Sequence, residues 1–385
     1  MNRRQFLRCA ALTTAGAGLA GWPIGLTASQ DAAPPVIQRK QVENSQDERF
    51  VRPAMFYQKL DNKMVKCQLC PRGCLVSDGN RGFCGVRENR GGDYDTLVYG
   101  RAVALNSDPI EKKPFNHFFP GTMVLSVATA GCNIACKFCQ NWQISQFRPE
   151  EVQARYLPPA KLVSLALGNN IPNIAFTYSE PTVFFEYMYE TAQLSHETGL
   201  KFVVVSNGFI STPAVKKLAP HLAAYKVDLK AFSDDFYRNI CSGRLAPVLK
   251  TLETLASLGL WVEIVNLVLP TLNDSHKDIK ALARWVKTSL GPMVPLHFTR
   301  FHPMYKIRNL PPTPVSTLEA CYETAKAEGL KYVYIGNIPG HRYGNTYCHN
   351  CGRLLISRTG LWAVDVDFKD GRCPRCKTAI PGVWS

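Results

Sequence analysis

The chain is poor in acidic residues and in charge overall: 30 Asp and Glu stand against 45 Lys and Arg, the formal net charge is +15 at pH 7, and charged residues make up 19% of the total. The basic excess is not concentrated, because Lys and Arg are scattered and no run of five or six like charges occurs. It therefore reads as a solvated basic surface before it reads as a footprint for RNA, a membrane surface or an acidic protein. A mature transmembrane span is also missing, and 46% hydrophobic content over 385 residues suffices for one sizeable core with small satellite modules. Cysteine is plentiful. Of the 14, four lie at Cys67, Cys70, Cys74 and Cys84, three at Cys132, Cys136 and Cys139, and four at Cys348, Cys351, Cys373 and Cys376. Close groups of this kind suit metal ligation, whereas a disulfide framework needs only spatial proximity. Cys9, Cys241 and Cys321 stand apart and read as small buried apolar residues.

The central group is the most informative. In Cys132-Asn-Ile-Ala-Cys136-Lys-Phe-Cys139, three thiolates can hold three irons of a cubane 4Fe-4S cluster and leave the fourth iron without a protein ligand. Four-cysteine ferredoxin sites cap every iron and only carry electrons; an open iron offers a place for S-adenosylmethionine, bound through its amino and carboxylate groups. Gly121–Ala128 is an apolar, β-branched run that reads as a buried strand, and Thr129-Ala-Gly131 supplies a turn at its end. Loops beyond the carboxyl ends of parallel strands are where ligands sit in α/β folds.

With Phe138 beside its last cysteine, the loop resembles the CxxxCx(aromatic)C signature of the radical SAM superfamily. Met64–Cys74, Cys132–Ile144, Ala175–Thr182 and the stretch from Thr346 to Trp384 extend the resemblance to the radical SAM component of the AmmeMemoRadiSam system, a group similar to the activating enzymes of glycyl radical enzymes such as pyruvate formate-lyase. The resemblance covers about residues 56 to 385. It implies a partial (β/α)6 TIM-like barrel open on one side to a large substrate, and an electron donor of the flavodoxin or ferredoxin type. It also implies companion proteins with Memo and Ammecr domains, or a glycyl radical enzyme to be activated. Reductive cleavage of S-adenosylmethionine to a 5'-deoxyadenosyl radical would then abstract hydrogen from substrate. An RNA-modifying radical enzyme and a noncatalytic iron-sulfur electron carrier are the other readings.

Short apolar runs at 173–176, 202–205, 224–229, 261–265, 296–298 and 331–335, with helical patterns at 182–197, 246–258 and 275–290, repeat a βα logic. With the strand before Cys132 they make seven candidates, one of them at the barrel edge. Candidate ligands sit at their ends. Thr177-Tyr-Ser179-Glu180-Pro181 occupies the place of a small-small-Glu-Pro motif that meets the amino group of the cosubstrate, with Tyr178 where Gly is usual; Glu180 would equally cap the following helix. Ser206-Asn207 and Asp228-x-Lys230 follow, the latter pair implied to meet ribose hydroxyls and the methionyl carboxylate, or else to form a buried structural ion pair. Asn266, Pro270, Asn273-Asp274, His302 and Asn337 are weaker candidates.

The layout is completed at both ends. Residues 1–30, with Arg3-Arg4-Gln-Phe6-Leu7 and an Ala/Gly/Leu-rich stretch, have the form of a twin-arginine export signal, in tension with the cytoplasmic supply of S-adenosylmethionine. Residues 31–55 read as a linker and 56–92 as a Cys-rich module holding zinc or an auxiliary iron-sulfur cluster, its glycines at 73, 79, 82 and 85 permitting tight turns. The core barrel spans 93–340. Two Cys-x2-Cys knuckles over 341–385, with a hairpin between them, read as a zinc ribbon whose four thiolates leave no open position.

Overall fold

The computed structural model describes residues 47–368 and 370–384. The twin-arginine-like segment, Cys9 and the linker up to residue 46 lie outside the described residues. The end of the expected linker is structured: Phe50 is buried, and Arg52–Pro53 pairs antiparallel with Asp93–Thr96. Among the described residues no helix is long and apolar enough to cross a membrane.

The centre is one eight-stranded sheet. An antiparallel edge strand β1 (Ala104–Pro109) lies beside β2 (Met123–Ala128), followed in order by β3 (Asn173–Phe176), β4 (Lys201–Ser206), β5 (Ala224–Asp228), β6 (Trp261–Val268), β7 (Leu296–Arg300) and β8 (Val333–Gly336). From β2 to β8 every pairing is parallel. Those are the seven strands expected from the apolar runs. They read clearly because helices cover a parallel sheet and its strands become near-continuous apolar stretches, as in the fully buried Asn173–Phe176. β1 was not anticipated: its Ala-Leu-Asn-Ser-Asp-Pro is half polar and exposed at first, as an edge strand can be.

Besides the single turn Trp142–Ser145, the α-helices between the strands are α1 (Pro159–Gly168), α2 (Phe185–Glu197), α3 (Thr212–Leu218), α4 (Asp234–Cys241), α5 (Leu245–Ser257), α6 (His276–Leu290) and α7 (Val315–Ala327). Serine side chains start two of them, Ser233 Oγ accepting from Phe236 N and Ser275 Oγ from Asp278 N. α6 buries Ile279, Leu282, Ala283 and Val286, one stripe at helical spacing.

The sheet does not close on itself, since β8 and β1 are both edges. The C-terminal unit and the segment 115–119 bridge this gap. Phe119 N donates to Val383 O and Val383 N to His117 O, both at 2.8 Å, while Arg358 of the C-terminal hairpin donates to Asn116 O at 2.7 Å. The buried Glu263 of β6 accepts from the backbone of Asn116 and His117 at 2.9 and 2.8 Å and from His297 Nε2 at 2.7 Å. The side expected to stand open to substrate thus carries C-terminal residues.

The N-terminal module docks on α2. Arg87, almost fully buried, reaches Glu186 at 3.0 Å and Met55 O at 2.6 Å, and Met55 N donates back to the same carboxylate at 2.7 Å.

Candidate active site

The cysteine loop leaves the end of β2 through Gly131, whose φ is +99°. A Cβ there would lie 2.5 Å from Val86 Cγ1 and 2.9 Å from Cys84 O, so only glycine lets the loop pass beneath the N-terminal module. α4 holds the far side: Ala135 N donates to Cys241 O at 2.8 Å and Lys137 N to Ile240 O at 2.9 Å. Phe138 is buried and packs against Phe236 with ring centres 6.0 Å apart. It also lines a cavity beside Cys136 and Cys139.

Cys132, Cys136 and Cys139 all line one cavity of about 470 Å³, together with Ser179, Glu180, Ser206, Asn207, Asp228 and Lys230. Residues distant in sequence thus line the same cavity. Burial and the neighbouring Glu180 push the Cys132 thiol well above its ordinary value; a contact with the Cys241 thiol, followed by burial, does the same for Cys136. Asn207 Nδ2 donates to Cys132 Sγ at 3.7 Å, and the Cys139 and Ser145 side chains meet at 3.1 Å.

The donor set fits a cluster of several irons. Among the described residues, the C-terminal cysteines are the one group of three or more potential ligands whose donor atoms all lie within 4.8 Å of one another. The thiols around the cavity are more widely spread, as they must be when each binds a different iron. Cys241 does not line the cavity, so the cavity presents three thiols, as an open fourth iron demands.

Glu180 is buried and its carboxylate accepts three hydrogen bonds at Oε1, from Thr182 N at 3.0 Å, Thr182 Oγ1 at 2.6 Å and Ser206 Oγ at 2.7 Å, and one at Oε2, from Asn207 N at 2.8 Å. Glu180 thus caps the turn and ties the ends of β3 and β4 together, while Oε2, with a single donor, keeps acceptor capacity. Burial raises its carboxyl pKa, against the pull of those donors. Tyr178, at φ +66°, sits in the left-handed region where glycine is usual. Its hydroxyl donates to Asp108, Asn106 donates to it at 3.2 Å, and the Lys113 ammonium lies 4.2 Å from the ring centre. Ser179 Oγ donates to Thr129 O at 2.7 Å.

Asp228 joins two cations, Lys226 and, at 2.9 Å, Lys230. Burial acts to raise its carboxyl, but the two ammoniums prevail and hold it down at about 2. Asn273 donates to Lys230 O at 2.8 Å and Asn266 to Leu229 O at 2.8 Å, so both brace the strand end. Asn337 reaches the cavity wall, whereas His302 is exposed and does not line it.

Lys113, Lys226, His297 and Arg358 also line the cavity, and sequence reasoning did not single them out. Lys226 was findable, because strand alternation puts it on the same face as Asp228 and Lys230. Arg358, contributed by the C-terminal hairpin, had no local signal.

An α/β fold with three thiols and a paired-charge strand end around one cavity is the arrangement of an enzyme that binds S-adenosylmethionine at a site-open cluster. The chain belongs to the radical SAM superfamily, whose pattern matches residues 126–286; membership implies a 4Fe-4S cluster and S-adenosylmethionine. It is 46% identical over 332 residues to an uncharacterized protein of Methanocaldococcus jannaschii, spanning 86% of this chain and 99% of that one. It is 25% identical over 186 residues to the benzylsuccinate synthase activating enzyme of Thauera aromatica, spanning 45% and 56% of the two chains. Against the pyruvate formate-lyase-activating enzyme of Clostridium pasteurianum, identity is 23% over 163 residues, or 41% and 66%.

Proposed function

We propose that this enzyme cleaves S-adenosylmethionine reductively and uses the radical so formed to take a hydrogen atom from a substrate held in the cavity. The observation that carries the reading is the convergence of Cys132, Cys136 and Cys139 with Glu180, Asp228 and Lys230 on one cavity. The three cysteines would hold the cluster, which when bound supplies the electron for carbon–sulfur cleavage. Asp228 accepts hydrogen bonds from ribose hydroxyls, and Lys230 pairs with the methionyl carboxylate. Glu180 fixes the turn so that backbone carbonyls face the ammonium, and its Oε2, which has one donor, can accept from the same ammonium. Ser179, Ser206 and Asn207 hold the same turn and strand end. Lys113, Lys226 and Arg358 also line the cavity, and each faces a carboxylate: Asp108 at 2.6 Å, Asp228, and Glu111 at 3.9 Å.

The finer assignments belong to the same proposal. The C-terminal unit is a zinc ribbon: its sulfurs lie 3.5 Å (Cys348 to Cys376) and 3.6 Å (Cys351 to Cys373) apart, close to the roughly 3.8 Å that zinc–sulfur bonds of about 2.3 Å impose on a tetrahedron. Cys67, Cys70, Cys74 and Cys84 form a second metal site. Motif resemblance supports Memo- and Ammecr-domain proteins as companions, a flavodoxin or ferredoxin as reductant, and export through the twin-arginine-like segment; fusing residues 1–30 to a reporter tests the last. Activation of a glycyl radical enzyme is the second reading, supported by the likeness to the benzylsuccinate synthase activating enzyme.

The experiment is anaerobic reconstitution followed by measurement of 5'-deoxyadenosine with dithionite as reductant, beside Cys136→Ala. Wild type should form the product and the variant none; no product from wild type with a full cluster would refute the reading.

A further inference from the structure

We infer that Cys67, Cys70, Cys74 and Cys84 hold a polynuclear iron-sulfur centre that relays electrons from a protein donor to the catalytic cluster. The inference rests on the radical reading above and adds the route by which the electron arrives.

The four thiols lie near one another in the module. Cys67 is buried with Val65, Leu69, Val76 and Tyr94, and Cys70 is surrounded electrostatically by the other three thiols. Their spacing argues against a single ion. No three of them lie mutually within 4.8 Å, although the C-terminal four do. One tetrahedral zinc would hold sulfurs roughly 3.8 Å apart; a centre of two or four irons spreads its thiolates because they bind different metals. In this respect the N-terminal set resembles Cys132, Cys136 and Cys139.

The two sulfur sets adjoin. The Cys84 carbonyl lies against Gly131, one residue before Cys132, close enough to bar a Cβ at 2.9 Å. Arg72, between Cys70 and Cys74 in sequence, donates to Asn133 O at 2.5 Å and to Ser242 O, and its guanidinium feels Cys70, Cys74, Cys132 and Cys84. Cys84 and Cys132 line a common outer pocket, while Cys132 also lines the substrate cavity. The cluster loop is thus a wall with a substrate side and a module side. A radical enzyme must keep its cavity shielded, so a bulky protein donor is best served from the module side. One electron leaves the donor, a reduced flavodoxin or ferredoxin, and reduces the oxidised module centre; the same electron then passes to the oxidised catalytic cluster. No bond in the module forms or breaks.

The test uses the full chain, anaerobically reconstituted with iron and sulfide, as wild type, as Cys132→Ala/Cys136→Ala/Cys139→Ala, and as Cys70→Ser/Cys74→Ser. Iron and zinc content and the electron paramagnetic resonance spectrum after reduction are measured first. The triple variant should keep a reducible signal and between about a third and a half of the wild-type iron, according to whether the module holds two or four irons. The double variant should lose that signal, form 5'-deoxyadenosine with dithionite within about twofold of wild type, and fall at least about tenfold with reduced flavodoxin. Zinc in place of iron in the triple variant, or an unchanged flavodoxin-driven rate in the double variant, would overturn the relay. A wild type that makes no 5'-deoxyadenosine with dithionite defeats the radical reading instead, and the metal count on the triple variant still decides the module.

Discussion

At Gly131 a single hydrogen atom decides whether the cysteine loop can form. An added methyl would meet Val86 and the Cys84 carbonyl at 2.5 and 2.9 Å, and the φ of +99° is strained for any L side chain. Gly131→Ala should therefore destabilise the protein by roughly 2–4 kcal/mol and lower iron loading, read by urea unfolding and iron content. Asp228 is the second decisive position, one carboxylate between Lys226 and Lys230. Asp228→Asn leaves two ammoniums facing each other, and should cost about 3 kcal/mol of stability with at least about tenfold weaker S-adenosylmethionine binding by calorimetry. The Asp-x-Lys spacing made this pair legible in the sequence. That Glu180 also accepts from Thr182, Ser206 and Asn207 was not, because two of those partners lie at and just beyond the end of the next strand.

Between elements, the informative contacts are buried and charged. The Arg87–Glu186 pair joins the N-terminal module to α2 at 3.0 Å with both partners buried. Glu186→Ala should cost about 3–5 kcal/mol by stranding the guanidinium, measured by denaturant titration. His117 ties the segment between β1 and β2 to β8 and to the C-terminal tail: Nδ1 contacts Pro381 O at 2.6 Å and Nε2 contacts Tyr334 OH at 2.5 Å. A carbonyl can only accept, so Nδ1 carries the proton and Nε2 accepts. Burial lowers the His117 pKa from 6.5 to about 4. The unfolded chain takes up a proton below 6.5 while the folded one waits until about 4, so stability falls as pH drops through that window, by about 3 kcal/mol in all. Thermal melts from pH 7 to 4.5 should show this slope, reduced in His117→Asn.

Over the whole molecule, the C-terminal unit closes what the sheet leaves open. Arg358 hydrogen-bonds Asn116 O at 2.7 Å and lines the cavity, and Val383 pairs with residues 117 and 119. Cys373→Ser/Cys376→Ser should abolish metal binding by the C-terminal unit, lower the melting temperature by roughly 5–10 °C and raise hydrogen exchange in residues 115–119 and β8. Unchanged exchange there would refute the closing role.

The amino-acid sequence alone determined the sorting of eleven cysteines into three groups, the seven parallel strands and the residues at their ends. Those features are legible because ligand spacing, apolar runs and strand alternation act over a few residues. The tertiary structure alone decided that β1 completes the sheet, that the C-terminal unit spans the open side, and that Cys84 adjoins Cys132. Each of these joins segments tens to hundreds of residues apart, through strand pairing, buried charges and close steric contacts that leave no period in the chain.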